Sequence, residues 1–132
     1  MELPKNVRLC AAAVTFAAAM TLKRCILELG SGNDLHGSDY TKAAVRAVED
    51  ALHHSSLAFV RTLGLDRNKA QVEVTIGVQR PEQVDAAKVK ATLPLGQVTV
   101  KVVKGGLDVP QEDGHDLIAI ASAAIAVRFD LP

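Results

Sequence analysis

Apolar β-branched residues alternate with polar or small ones twice in this chain. Val72, Val74, Ile76 and Val78 interleave with Gln71, Glu73, Thr75 and Gly77, and Val98, Val100 and Val102 with Gln97, Thr99 and Lys101. Side chains along a strand point to opposite faces in turn, so each run predicts a strand with one face buried and the other polar. Cys25-Ile26-Leu27-Glu28-Leu29 is short and apolar, and reads as a buried strand stopped by Gly30. The last segment has two readings. Leu117, Ile118, Ala121, Ile125 and Phe129 fit one side of a helix, yet Ile125, Val127, Phe129 and Leu131 alternate with Ala126, Arg128 and Asp130. We read a strand, with a bulge or break at Ser122-Ala123-Ala124, where the apolar phase slips.

Helical periodicity lies between these runs. Ser38 or Asp39 can cap a helix running from about Tyr40 to Leu63 and ending near Gly64. Ala44, Val48, Ala51, Leu52, Ser55 and Phe59 fall on one side of it. Lys42, Arg46, Glu49, Asp50 and His53 fall on the other, with Arg46 and Asp50 spaced for an i,i+4 pair. Asp66-Arg67-Asn68 reads as a turn. Pro81 and Glu82 open a second, shorter helix through Val84, Val89 and Leu93, closed by Pro94 and Gly96. The order strand, helix, strand, helix, strand, strand predicts a two-layer α/β sandwich: a four-stranded mixed sheet with two helices on one face. The opposite face carries Glu73, Thr75, Gln97, Thr99 and Lys101, and meets solvent or a partner subunit.

A chain of 132 residues is one domain, and 48% hydrophobic with 23% charged residues is the composition of an ordered globular protein. Aromatics are 3% with no Trp, so the core must be built from Val, Ile, Leu and Ala. Basic and acidic residues number 15 each, a balance that argues against a dedicated nucleic-acid binder and for self-association. Cys10 and Cys25 form no C-x-x-C pair, so neither a disulfide framework nor a structural zinc site is expected; Cys25 reads as a small buried core residue. Residues 1–19 differ from the rest. Lys5 and Arg8 precede the alanine-rich run Leu9–Ala19, which is too short to span a bilayer. The layout is that of a signal peptide with Ala17-Ala18-Ala19 as cleavage site. The alternative is an upstream extension with Met20 as the working start. Thr21-Leu22-Lys23-Arg24 leads at once into a strand, which favours the extension. Residues 20–132 are therefore taken as the domain, expected in the cytoplasm without a membrane partner.

The stretch Gly30–Lys42 carries the densest chemistry. Three glycines, two aspartates, a histidine and four hydroxyl side chains mark this stretch between an apolar run and a helix. Such a loop can bring main-chain N–H groups close to a ligand. Gly30, Gly32, Asp34, His36, Gly37, Asp39 and Thr41 are the candidate ligand-binding residues here, joined by Gly105 and Gly106 from a second loop ending near His115. The pattern is neither G-x-G-x-x-G nor a Walker loop, so it points to no nucleotide, although a helix N-terminus favours an anion. His36 and His115, with Asp34, Asp39, Asp113 and Asp116, can assemble a metal site only if the two loops meet; no established ligand spacing is present, so no metal and no cofactor is assigned. His53 and His54 point about 100° apart on a helix and do not chelate together. Among hydroxyls, Ser55, Ser56 and Thr41 are weaker nucleophile candidates than Ser122, which lies where the final strand's pattern breaks. Lys42, His36 and His115 are the available bases. The competing reading of Ser122 is a small residue fitted to a tight bend.

Leu27-Glu28-Leu29-Gly30, Asp34-Leu35-His36-Gly37 and Asp39-Tyr40-Thr41-Lys42-Ala43-Ala44 with Arg46-Ala47-Val48 resemble a small bacterial family of conserved hypothetical proteins, the Lin-type family. Pro81-Glu82, Val84-Asp85, Leu93-Pro94-Leu95-Gly96 and Gly105-Gly106-Leu107 continue the match, which covers nearly everything from Met20 onward. That family has no established activity. The chain also resembles one repeat of the ring-opening amidohydrolases, the cyanuric acid hydrolase and barbiturase family. Ser38-Asp39-Tyr40-Thr41-Lys42 is similar to the segment opening the first helix of such a repeat, and Ala121-Ser122-Ala123 falls where the repeat's serine lies. The lysine expected at the end of the first strand is absent, with Glu28 in that neighbourhood. This second resemblance implies a homo-oligomer, with a trimer favoured, and a site at the subunit interface.

Two functional expectations follow. One is a small-molecule enzyme, most concretely a cyclic-amide hydrolase, with Ser122 and Lys42 as catalytic candidates and the Gly30–Lys42 and Gly105–His115 loops lining an interface site. The other is a non-catalytic ligand-binding or assembly protein using the same loops.

Overall fold

The computed structural model describes residues 19–94 and 96–132. The targeting, extension and cleavage-site readings of the N-terminal segment, and Cys10, lie outside them, apart from Ala19. Five strands and three α-helices build the domain: β1 (Thr21–Asp34), α1 (Tyr40–His53), α2 (Ala58–Thr62), β2 (Gln71–Val78), α3 (Ala86–Lys90), β3 (Gln97–Lys104), β4 (Leu107–Pro110) and β5 (Leu117–Leu131). The sheet runs β1-β5-β2-β3, and β4 pairs with the first residues of β5. β2 and β3 are parallel, joined across α3, whereas β1 and β2 flank β5 antiparallel.

The helices cover one face, as the patterning requires. Val72, Val74, Ile76 and Val78 of β2 and Ala119, Ala121, Ala123, Ile125, Val127 and Phe129 of β5 are buried there. Against them α1 lays Ala43, Ala44, Ala47, Val48 and Ala51, and α2 sets Phe59 edge-on to Phe129 with ring centroids 5.9 Å apart. The register puts Glu73, Thr75, Thr99 and Lys101 on the other face, as expected from alternation. Among the described residues no helix is long and apolar enough to cross a membrane.

The architecture departs from the four-stranded, two-helix expectation in specific ways. The fifth strand is β4, whose four residues are too few to show alternation and end in Pro110. The helix expected over 40–63 breaks after His53. There Ser55 Oγ donates to the Leu52 carbonyl, and Ser56 Oγ accepts from Ala58 N–H, so side chains compete with the helical ladder and restart it as α2. The helix expected from Pro81 is split likewise. A 3-10 turn covers Pro81–Gln83, and Asp85 then caps α3 by accepting from the Ala87 and Lys88 N–H groups.

Two more corrections concern the long strands. Gly30 does not stop β1, which continues to Asp34, so the first third of the glycine-rich stretch is strand. No break occurs at Ser122, where β5 stays in register with both β1 and β2. The slip lies in β1 instead, between Arg24 and Ile26, which leaves half-buried Cys25 unpaired in the ladder. In β5 alanines hold the helix face at 121 and 123, so alternation persists there with no large side chain to mark it. Arg46 and Asp50 do not pair with each other. Arg46 donates to the Asn33 carbonyl at 2.7 Å and Asp50 accepts from Ser31 N–H at 2.9 Å, so α1 side chains occupy the free edge of β1.

Candidate functional site

One end of the sandwich gathers the chain's polar residues. Parallel β2 and β3 finish there, as do β1 and the N-terminus of α1, and the carboxyl ends of parallel strands are where open α/β folds place ligands. The two glycine-rich loops do meet at this end. Asp116 accepts from Gly37 N–H at 2.8 Å and from its neighbour Leu117 N–H at 2.9 Å, while Gln111 Nε2 donates to the Leu35 carbonyl at 2.7 Å. These contacts, led by the Gly37 N–H, hold the Asp116 carboxyl below the usual carboxylate range. Gly37 and Ser38 both adopt positive φ, and Ser38 does so at +50° although it carries a Cβ. A non-glycine residue there is strained. It turns the chain so that Asp39 arrives at the helix start.

Asp34 is the buried polar residue of the described chain, at 2% exposure. Its carboxylate accepts from Asp39 N–H at 2.9 Å and faces Lys42 Nζ at 3.5 Å and Arg46 at 3.9 Å. A buried carboxylate persists when hydrogen-bonded and paired, and both conditions hold here. Asp39 caps α1 through the Lys42 N–H. Thr41 Oγ1 accepts from Asp85 N–H at 2.9 Å and so ties the start of α3 to α1. His36 is exposed, with Nδ1 3.4 Å from Gln111. At this helix N-terminus, where an anion is favoured, two N–H groups, those of Asp39 and Lys42, already donate to the protein's own carboxylates. Among the described residues no three His, Cys, Asp or Glu side chains stand close enough to share a metal ion.

Gly30 and Gly32 serve packing. A Cβ on Gly32 would overlap the backbone of Ala43, Arg46 and Ala47, and one on Gly30 that of Ala47 and Ala51. Their missing side chains let α1 lie directly on β1. Gly105 donates its N–H to Val78, and the Gly105 and Gly106 carbonyls both accept from Gln79 Nε2, at 3.0 and 3.1 Å. That clamp steers the chain from β3 into β4.

Sequence reasoning missed a further pair. Tyr40, 2% exposed, donates its hydroxyl to Asp108 Oδ2 of β4 at 2.5 Å. Burial first, then this bond and the Asp108 charge, push the Tyr40 hydroxyl up to about 12. The other oxygen, Asp108 Oδ1, is buried with no hydrogen-bond donor among the described residues. Tyr40 stands in the segment Asp39–Ala44 that carries the family resemblance, but Asp108 stands in none of the quoted motifs, and the contact joins positions 68 apart.

Ser122 lies apart from this end group. It is exposed on the helix-free face, directly across the β1–β5 ladder from Ser31. The two serines line a shallow hollow of about 590 Å³ with Thr75, Gly77 and Ala124, and with backbone from Gly30, Gly105 and Gly106. Lys42 is on the helix layer beside Asp34, so Ser122 and Lys42 occupy opposite sides of the sheet.

The chain has relatives. No curated protein matches it. A solved structure, an FtsZ-like protein of unknown function from Nostoc punctiforme PCC 73102, is 39% identical over 84% of this chain and 98% of its own, with a TM-score of 0.75. Residues 24–127, from the bulge in β1 to the middle of the last strand, match a family described as conserved hypothetical protein (Lin0512_fam). On that match, which takes in all three helices, β2 to β4 whole and most of β1 and β5, the chain belongs to the Lin0512 family of conserved hypothetical proteins.

Proposed function

We propose that this chain is a small-ligand-binding protein whose site is the polar end of the sandwich, around Tyr40, Asp108 and the two joined loops. The observation that carries the reading is Asp108 Oδ1. A desolvated carboxylate oxygen without a donor is costly, of order 1–3 kcal/mol, and a ligand N–H would remove that cost. Tyr40, kept protonated to about pH 12, fixes the carboxylate's other oxygen and so its aim. The ligand class that fits is a molecule presenting an amide-type N–H, and cyclic amides belong to it.

Ring opening of such an amide is the catalytic version, with Ser122 as nucleophile. Within one chain Ser122 and Lys42 are separated by the sheet, so Lys42 is not its base, and the titratable side chains lining the same hollow are Lys104 and Asp50. The separation favours binding without hydrolysis. The test is thermal-shift screening of cyclic amides on the wild type, Asp108→Asn and Ser122→Ala. The binding reading expects stabilisation of the wild type and Ser122→Ala that is lost in Asp108→Asn. Ring-opened product that disappears in Ser122→Ala would instead establish the hydrolase, and no shift with any cyclic amide would refute the ligand class.

A further inference from the structure

We infer that the helix-free face of the sheet is covered by a second copy of this chain. All three helices lie on one side, so the other side of the sheet has no layer among the described residues. The side chains there are not those of a solvated surface. Leu29 is 63% exposed, Leu107 61% and Leu27 47%, and they share the face with Val109. Adjoining exposed leucines on one sheet face mark an interaction surface.

Three properties point to a copy of the same chain as occupant. The first is shape. The face carries both a ridge, Leu107 and Val109 on β4, and a hollow floored by Gly77, Ser122 and Ala124. A surface holding knob and hole together has the two parts that a two-fold pairing of identical subunits brings together.

The second is charge. Along β1, β5 and β4, from Leu27 to Val109, the alternation places no ionised side chain on this face, and Asp50 and Lys104 only border its hollow. Charged groups lie along its β2–β3 side, where Glu73, level with Leu27, stands 3.9 Å from Arg128, and Lys101 is level with Leu29. An uncharged centre with a mixed-sign margin is the anatomy of a protein interface. Because the margin holds both signs, Glu73 of one copy can meet Lys101 or Arg128 of another. The chain's net charge of zero adds no general repulsion between copies.

The third is size. With strands about 4.8 Å apart and rising about 3.3 Å per residue, this face is a plane of roughly 750 Å². Stable interfaces bury about 800 Å² per partner, so the face matches one in size when it is covered whole. This inference is independent of the ligand reading, since Asp108 lies on the helix side.

The test is light scattering on a sizing column with the full chain. The wild type is expected at twice 14.0 kDa or a higher multiple. Leu29→Lys and Val109→Asp, at separate places on the face and both at exposed positions, are each expected to return the mass to a single chain with an unchanged far-ultraviolet circular dichroism spectrum. Glu49→Lys, on the outer side of α1, should keep the wild-type mass. A monomeric wild type would overturn the inference, and with it the claim that a copy rather than another segment or protein covers the face. An oligomer that survives both face substitutions would overturn it equally, because the contact would then lie elsewhere.

Discussion

Tyr40 is the chain's sole tyrosine, and there is no tryptophan, so its ionisation can be read directly from absorbance. Its folded value of about 12 lies above the ordinary 10.0. The folded state therefore holds a proton that the unfolded chain gives up earlier. Stability from this group is complete below pH 10 and falls as pH rises from 10 to about 12. Spectrophotometric titration should show tyrosinate appearing only near pH 12 or with unfolding. Tyr40→Phe should cost about 1–3 kcal/mol in urea unfolding, because Asp108 then has no partner on either oxygen. A titration midpoint near 10 in the folded protein would contradict the buried bond. Asp116 has the opposite sense: its carboxyl is held low, so its contribution is present at neutral pH and is lost as pH falls through the folded value.

At the scale of elements, the contact that places the polar end is α1 on β1. Where Gly30 and Gly32 meet Ala43, Ala47 and Ala51, backbone rests on backbone. Gly32→Ala has nowhere to put its methyl group, and overpacking of this kind costs typically 1–3 kcal/mol. Urea midpoints should fall accordingly, whereas Gly64→Ala, where a Cβ meets nothing, should respond only to its positive φ and lose less. Much of this level was legible. The alternating valines of β2 and β3 and the stripe of Ala44, Val48, Ala51 and Leu52 in α1 announced strands and helix because packing repeats with the period of the element. The missed features were those without periodicity. Ser55, Ser56 and Asp85 interrupt helices through local side-chain bonds, and four residues of β4 are too short for a pattern. Gly30 and Gly32 looked like loop residues because glycine signals a missing Cβ without saying whether a ligand or a helix needs the space. The two loops were flagged, but Tyr40–Asp108 depends on a fold that brings β4 beside the start of α1.

For the molecule as a whole, the proposed coverage of the open face by a second copy would link stability to concentration. Association of folded chains shifts unfolding by mass action, so the melting temperature should rise across a hundredfold increase in protein concentration. Leu29→Lys should abolish that dependence, leaving one melting temperature at all concentrations. A wild-type melting temperature that ignores concentration would argue that the folded chain stands alone.

The seam of glycine and alanine between β1 and α1 has one more consequence. Most helices rest on a sheet through branched side chains, which can switch rotamer and let the helix drift by a fraction of an ångström as sequences change. Here the spacing is set by main-chain atoms, which have no rotamers to switch. The start of α1 is thus registered against the end of β1 with the tolerance of covalent geometry. Substitutions among the valines and leucines of the remaining core can accumulate without moving Asp34, Asp39 and Tyr40 relative to one another. The seam acts as a datum line, and relatives that keep it should keep the polar end superimposable even where the rest of their cores have been repacked.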